Sequence, residues 1–246
     1  RHAACRYLSF YSPGCFYYNI LFCNNSYDSY SLRLFLSVIQ KTKKDYLNYL
    51  AHAYLSFNDP EILTGNLISD FVKGKKKFDY PQGIQHGIAL HRMIDTFTDG
   101  HEATQKAKEI FRPHYRLYSG AFVDVLYDHF LATDENEFSE TSLFDFSDGV
   151  YTILEKHQQW MPERFAAVFP YMKSQNWLLN YRTPEGIKKS LGGVVRRAAY
   201  LSESDTAAYL FEKHYQPLRQ CYRQFWKDAK PFAREQFDIL STDNNM

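Results

Sequence analysis

Three side chains able to hold a cation recur at helical spacing in GIALHRMIDTFTDGH (87–101): His91, Asp95 and Asp99 fall at i, i+4 and i+8. A four-residue step along a helix drifts by only about 40°, so the imidazole and both carboxylates share one side. Nitrogen and oxygen ligands together suit zinc or a divalent transition metal. A second stretch, DVLYDHFL (124–131), repeats the pattern with Asp124 and Asp128 four apart and His129 adjacent. Upstream stand His52 and the four-spaced pair Asn66 and Asp70. A solvated helix face would account for any one of these stripes, since His and Asp are common on exposed faces. Their recurrence on several helices favours a metal site over a structural polar network, because an inward carboxylate is costly unless paired, hydrogen-bonded or on a metal. The expected ligand pool is His52, Asp70, His91, Asp95 and Asp128, with the carboxylates of Asp70, Asp95 and Asp128 converging from three helices. Asp124 and His129 are candidates for orienting ligands or moving protons, and Arg92 or Lys73 for holding a substrate anion.

The elements that must position these residues all read as helices. Asp59 caps a helix that Pro60 opens, PEILTGNLISDFVK, with Ile62, Leu63, Leu67 and Phe71 on its apolar side. Gly65 in that helix permits the close approach of another backbone. The central helix follows Pro81 and breaks at Gly100. Pro113 is expected to open the helix carrying Asp124 and Asp128, with Leu117, Ala121, Val125 and Leu131 buried. Further helices run from Phe138 to about Gln159, from Pro162, from Pro184, and from about Glu203 onward, the last with a kink at Pro217. Nothing reads as a sheet, and no phosphate loop, nucleophile elbow or dinucleotide fingerprint occurs.

The chain has 246 residues, 45% hydrophobic and 23% charged, enough for a real core and against global disorder. No apolar run approaches the roughly 20 residues of a membrane span. The formal net charge of +1 is unevenly placed. Residues 1–46 hold six Lys/Arg and two Asp/Glu, whereas the remainder holds 23 and 26, so the main domain is mildly acidic and lacks a nucleic-acid-binding signature. Three of four cysteines precede residue 24, and Cys221 stands alone, which fits a reducing cytosol.

Four ordered motifs carry a family resemblance: NYLAH (48–52), GNLISDFVKG (65–74), GIALHRMIDTFTD (87–99) and DVLYDHFL (124–131). Over roughly residues 47–240 the chain resembles the acyl carrier protein phosphodiesterases, or holo-acyl-carrier-protein hydrolases. The resemblance implies an all-α fold, a single helical domain distantly similar to the histidine–aspartate metal phosphohydrolases. It implies hydrolysis of the phosphodiester joining 4′-phosphopantetheine to a serine of acyl carrier protein, with a divalent metal of the manganese type and a cytoplasmic location. The sequence lacks an adjacent His-Asp pair; it has His91 with Asp95, and a reversed Asp128-His129. Two other readings stand beside this one: a related metal phosphohydrolase acting on a nucleotide or small phosphoester, and a non-enzymatic helical binding module.

Acyl carrier proteins are acidic, so docking on a mildly acidic domain calls for a local basic patch. Lys188, Lys189, Arg196 and Arg197, on a helix and its end, are the favoured candidates, ahead of the loop lysines 73 and 75–77; Asn66 and Arg92 are expected nearer the substrate. The family begins Met-Asn-Phe/Tyr-Leu-Ala-His, which aligns its initiator with Leu47. Residues 1–46, rich in Tyr, Phe, Ser, Cys and Asn and without clear periodicity, are therefore expected to be upstream sequence read in frame, the alternative being a divergent extension or targeting segment. Tryptic peptides from residues 7–33 of the natural protein would overturn that expectation; peptides beginning only at residue 47 would support it.

Overall fold

In the computed structural model the described residues are 48–242, and the expectation concerning residues 1–46 lies outside them. Eleven α-helices and no strand occur among these residues, as the sequence patterning requires. Helix α1 (Tyr49–Tyr54) and α2 (Pro60–Ile68) are followed by a 3-10 turn, Ser69–Phe71. The central helix α3 is Gln82–Gly100, followed by α4 (Glu102–Tyr115) and α5 (Ser119–Ala132). Then come α6 (Glu140–Lys156), α7 (Glu163–Ser174), α8 (Trp177–Asn180), α9 (Pro184–Arg197), α10 (Asp205–Lys213) and α11 (Tyr215–Thr242).

Several helix ends follow local chemistry. The Asp59 carboxylate accepts from the N–H groups of Glu61 (3.0 Å) and Ile62 (2.9 Å), with Pro60 at the first helical position. Thr183 caps α9 in the same way, accepting from Gly186 N at 2.9 Å. Others depart from expectation. Pro113 lies in the last turn of α4, and the chain breaks three residues later at Arg116, whose φ is 47°. Leu117 is consequently thrown outward and is 95% exposed, not buried. Two helices parted at His214 replace the expected single C-terminal helix kinked at Pro217. Pro217 sits in the first turn of α11, where backbone N–H groups lack helical partners anyway.

The core is continuous. Ile84, Ile88 and Leu90 of α3 are fully buried, as are Phe111 of α4 and Phe122 and Phe130 of α5. Full burial of such side chains contributes about 1.5–3 kcal/mol each. The long α11 lies across α3 and α4, with Leu218, Tyr222, Phe225 and Trp226 inward.

The crossing of α2 and α3 is the contact that brings the polar residues of the two helices together. A Cβ on Gly65 would stand 2.1 Å from the carbonyl oxygen of Ile84, and one on Gly87 would stand 2.1 Å from that of Ile62. The two backbones thus touch through a pair of glycines, a close approach that no larger residue allows. Gly87→Ala should force the helices apart and lower stability by about 3 kcal/mol or more, at the upper end of overpacking costs. Thermal denaturation followed by circular dichroism checks this, and an unchanged melting temperature would refute the contact.

Candidate metal centre

The glycine crossing sets Asn66, next to Gly65 on α2, beneath two histidines. Its Oδ1 accepts from Nδ1 of His52 at 2.7 Å and from Nδ1 of His91 at 3.2 Å. Its Nδ2 donates to the backbone oxygen of His52 and to Ser56 Oγ, each at 3.0 Å, which fixes the amide orientation. The imidazoles stack, with centroids 4.0 Å apart and planes 22° from parallel. Because Asn66 Oδ1 takes both Nδ1–H groups, each neutral ring presents a bare Nε2 lone pair.

Those Nε2 atoms are buried and have no hydrogen-bond partner. They face carboxylates: His52 Nε2 lies 3.2 Å from Asp95 Oδ1, and His91 Nε2 lies 3.2 Å from Asp95 Oδ2 and 3.4 Å from Asp70 Oδ1. Lone pairs opposed to carboxylate oxygens at that range repel unless a proton or cation stands among them. His52, His91 and Asp95 each offer a ligand atom, and all three lie within 4.8 Å of one another. This is a His/Asp donor set of a kind that holds a divalent metal. A proton on His91 Nε2 would relieve the same repulsion. Burial opposes charge on His91, but Asp70 and Asp95 outweigh it and raise its pKa to about 10. Burial, reinforced by His91, lowers His52. Asp95 is held far below the usual carboxylate range by the two histidines, against the pull of burial.

His91 and Asp95 owe their alignment to one turn of α3. His52 owes its place to a long-range contact. Asn48 makes no side-chain cap on α1. Instead Asp128 of α5 accepts from Leu50 N at 3.0 Å and Ala51 N at 2.8 Å, closing the start of that helix from 78 positions away. Asp128 is fully buried, which pushes its pKa up to about 7 despite these bonds. Its carboxylate therefore sits under α1 and outside the three-residue ligand group, so the expected convergence is of Asp70 and Asp95 without Asp128.

The remaining expected residues fall in different places. His129 is buried among aromatic rings, its Nδ1 donating to Tyr181 O at 2.7 Å and its Nε2 3.5 Å from Tyr215 Oη, so its nitrogens are engaged away from the group. Asn66 is fully buried with both polar atoms taken, and orients ligands where a substrate contact was expected. Arg92 donates to Val72 O at 3.0 Å, bracing the segment after Asp70. Lys73 is exposed. Lys188 pairs with Glu212 at 3.2 Å, while Lys189, Arg196 and Arg197 line a separate cavity of about 380 Å³ that no member of the ligand group reaches.

Asp70, Asp95 and Asp124 line one open cleft of about 590 Å³. Burial, and then the charge of Asp95, push Asp124 well above the usual carboxylate range. Lys108, Arg112 and Arg116 line the same cleft. The sequence reading missed them; a helical stripe at 108, 112 and 116 was the available signal.

Two substitutions separate these roles. Asn66→Leu should weaken divalent-metal binding by about 10–100-fold, as loss of a ligand's supporting hydrogen bond does, measured by titration calorimetry with manganese. Asp128→Asn keeps an acceptor for the start of α1, so it should leave metal stoichiometry unchanged yet lower stability by about 1–3 kcal/mol, the cost of one backbone donor stranded. Loss of metal with Asp128→Asn at full helicity would restore Asp128 to the ligand set.

Comparison with known proteins agrees with these motifs. The family model for acyl carrier protein phosphodiesterase matches residues 47–229. A Yersinia pestis protein named acyl carrier protein phosphodiesterase is 34% identical over 181 residues, 73% of this chain and 94% of its own length. Proteins of the same name from Photorhabdus laumondii and Escherichia coli are each 32% identical, covering 73% of this chain and 91% and 94% of their own lengths. No solved structure matches, so kinship with the histidine–aspartate phosphohydrolases rests on the sequence resemblance alone. With a family model spanning well over half its length, this chain belongs to the acyl carrier protein phosphodiesterase family.

Proposed function

We propose that this protein hydrolyses the phosphodiester joining 4′-phosphopantetheine to a serine of holo-acyl carrier protein, releasing apo-carrier protein and 4′-phosphopantetheine. The observation that carries the reading is the pair of buried histidine Nε2 atoms without hydrogen-bond partners, opposed to Asp95 and Asp70 on the floor of an open cleft. His52, His91 and Asp95 would hold a divalent ion of the manganese type, with Asp70 as a further ligand beside His91. Such an ion supplies a water of lowered pKa and Lewis-acid stabilisation of the phosphate oxygens.

The chain's own residues do the rest. Asn66 keeps both imidazoles in the tautomer whose Nε2 faces the cleft. Arg92 anchors the backbone at Val72 and so holds Asp70 in register with His91. Asp99 and Asp124 are the cleft carboxyls outside the ligand group; Asp99 is paired with Lys108, and Asp124 is assigned to moving a proton to the departing serine oxygen. His129, with its nitrogens engaged elsewhere, has no part in the chemistry. Asp128 acts through α1, by setting where His52 stands. The compartment this reading implies is the cytoplasm; no helix among the described residues is long and apolar enough to cross a membrane.

Intact-mass spectrometry of holo-carrier protein incubated with this protein and manganese should show loss of the phosphopantetheine mass. A carrier that stays intact with metal-loaded protein would overturn the proposal. Asp70→Ala should reduce kcat by at least about a hundredfold, a loss of roughly 3 kcal/mol in transition-state stabilisation, with the circular dichroism spectrum unchanged. Near wild-type turnover would remove Asp70 from the site.

A further inference from the structure

A cleft that ends on a ligand group takes its substrate from the open side, so residues at its mouth meet a protein substrate first. The turn between α4 and α5 forms part of this mouth. Arg112, Arg116 and Leu117 line the same cleft as Asp70, Asp95 and Asp124. Leu117 is the most exposed large apolar side chain among the described residues, at 95%. The guanidinium of Arg116 has no hydrogen-bond or ion-pair partner among the described residues, whereas Arg112 reaches only its helix neighbours Glu109 and Gln105.

The backbone at Arg116 is itself unusual. Its φ of 47° and ψ of −118° match the first central position of a type II′ turn, where glycine is favoured and an L side chain is strained. Strain held at one position of a cleft mouth points to a use for the side chain that bears it. Other cations are less available. Lys108 is tied to Asp99 at 2.6 Å and Lys188 to Glu212 at 3.2 Å, and Lys189, Arg196 and Arg197 line the other cavity.

We propose that the carrier-protein substrate docks on this turn, its acidic surface against Arg112 and Arg116 and an apolar side chain of its own against Leu117. The inference rests on the function proposed above and moves the docking surface away from the Lys188–Arg197 cluster. Charge complementarity favours it. Beyond residue 46 the chain holds 23 Lys/Arg against 26 Asp/Glu, so attraction to an acidic protein has to be local, and this is the basic group at the mouth of the cleft. Rim charges of this kind act mainly on the association rate and weaken with salt.

Arg116→Gly is the informative variant, because glycine accepts the turn conformation without strain. It should raise the melting temperature. It should also raise KM for holo-carrier protein by about tenfold while kcat stays within about twofold, the pattern of lost uniform binding. Loss of the Arg116 charge should flatten the salt dependence of KM, and Leu117→Ser added to Arg116→Gly should raise KM further without changing that dependence. Hydrolysis of bis(p-nitrophenyl) phosphate, measured with the same manganese-loaded proteins, should stay at the wild-type rate. An unchanged KM in both variants overturns the docking surface. Equal loss on carrier and model diester also overturns it, assigning the turn to chemistry or folding. A wild-type protein that cleaves the model diester but leaves the carrier intact overturns the functional reading itself, and the docking surface with it.

Discussion

Asn66 Oδ1 accepts from both His52 and His91, and the position of both imidazoles depends on that shared oxygen. One acceptor serving two rings does three things at once. It fixes both tautomers, stacks the rings, and leaves two buried Nε2 atoms side by side without hydrogen-bond partners. The arrangement costs free energy unless a cation or proton completes it, since unpaired buried polar atoms and opposed lone pairs are both unfavourable. The glycine pair at the α2–α3 crossing makes it reachable, by bringing the Asn66 backbone within one side-chain length of α3.

Around that centre the charges are graded. Asp70, Asp95 and Asp124 line the cleft, where a bound cation would offset their repulsion, and the exposed Arg112 and Arg116 line it too. This order suits a phosphodiester, whose anionic centre must pass acidic groups to reach a metal. Negative residues at the floor exclude an anion that brings no cation to meet it, and cations at the rim favour its approach. The same polarity sets the proposed docking turn, with its own strained backbone, apart from the His52, His91 and Asp95 group on α1 and α3.

Several polar residues support the site without entering it. Asp128 supplies the N-terminal hydrogen bonds that Asn48 does not, and Arg92 braces the segment after Asp70. His129 joins α5 to the backbone at Tyr181. Each lies within a helical stripe that resembles a ligand stripe, because structural capping and metal binding draw on the same residue types.

The sequence alone determined the all-helical class, since apolar residues recur at helical spacing and no alternating run occurs. It determined the i, i+4 pairing of His91 with Asp95, which needs one helix and nothing else, and the Asp59–Pro60 and Thr183–Pro184 helix starts, which are local. It marked Gly65 as a place of close approach. Only tertiary structure decided which of the remaining His and Asp residues join that pair. Asp70 meets His91 because α2 and α3 cross at a glycine pair, and His52 joins them because Asp128, identical in type and spacing to a ligand carboxylate, turns to the start of α1, 78 residues away, and fixes that helix. The break at Arg116 was hidden for the same reason. Pro113 is the stronger local signal, but a proline fits the last turn of α4, and the chain turns three residues later at Arg116, a non-glycine residue at positive φ. Local chemistry is written in neighbours along the chain; the choice among equivalent carboxylates is made by which backbones touch.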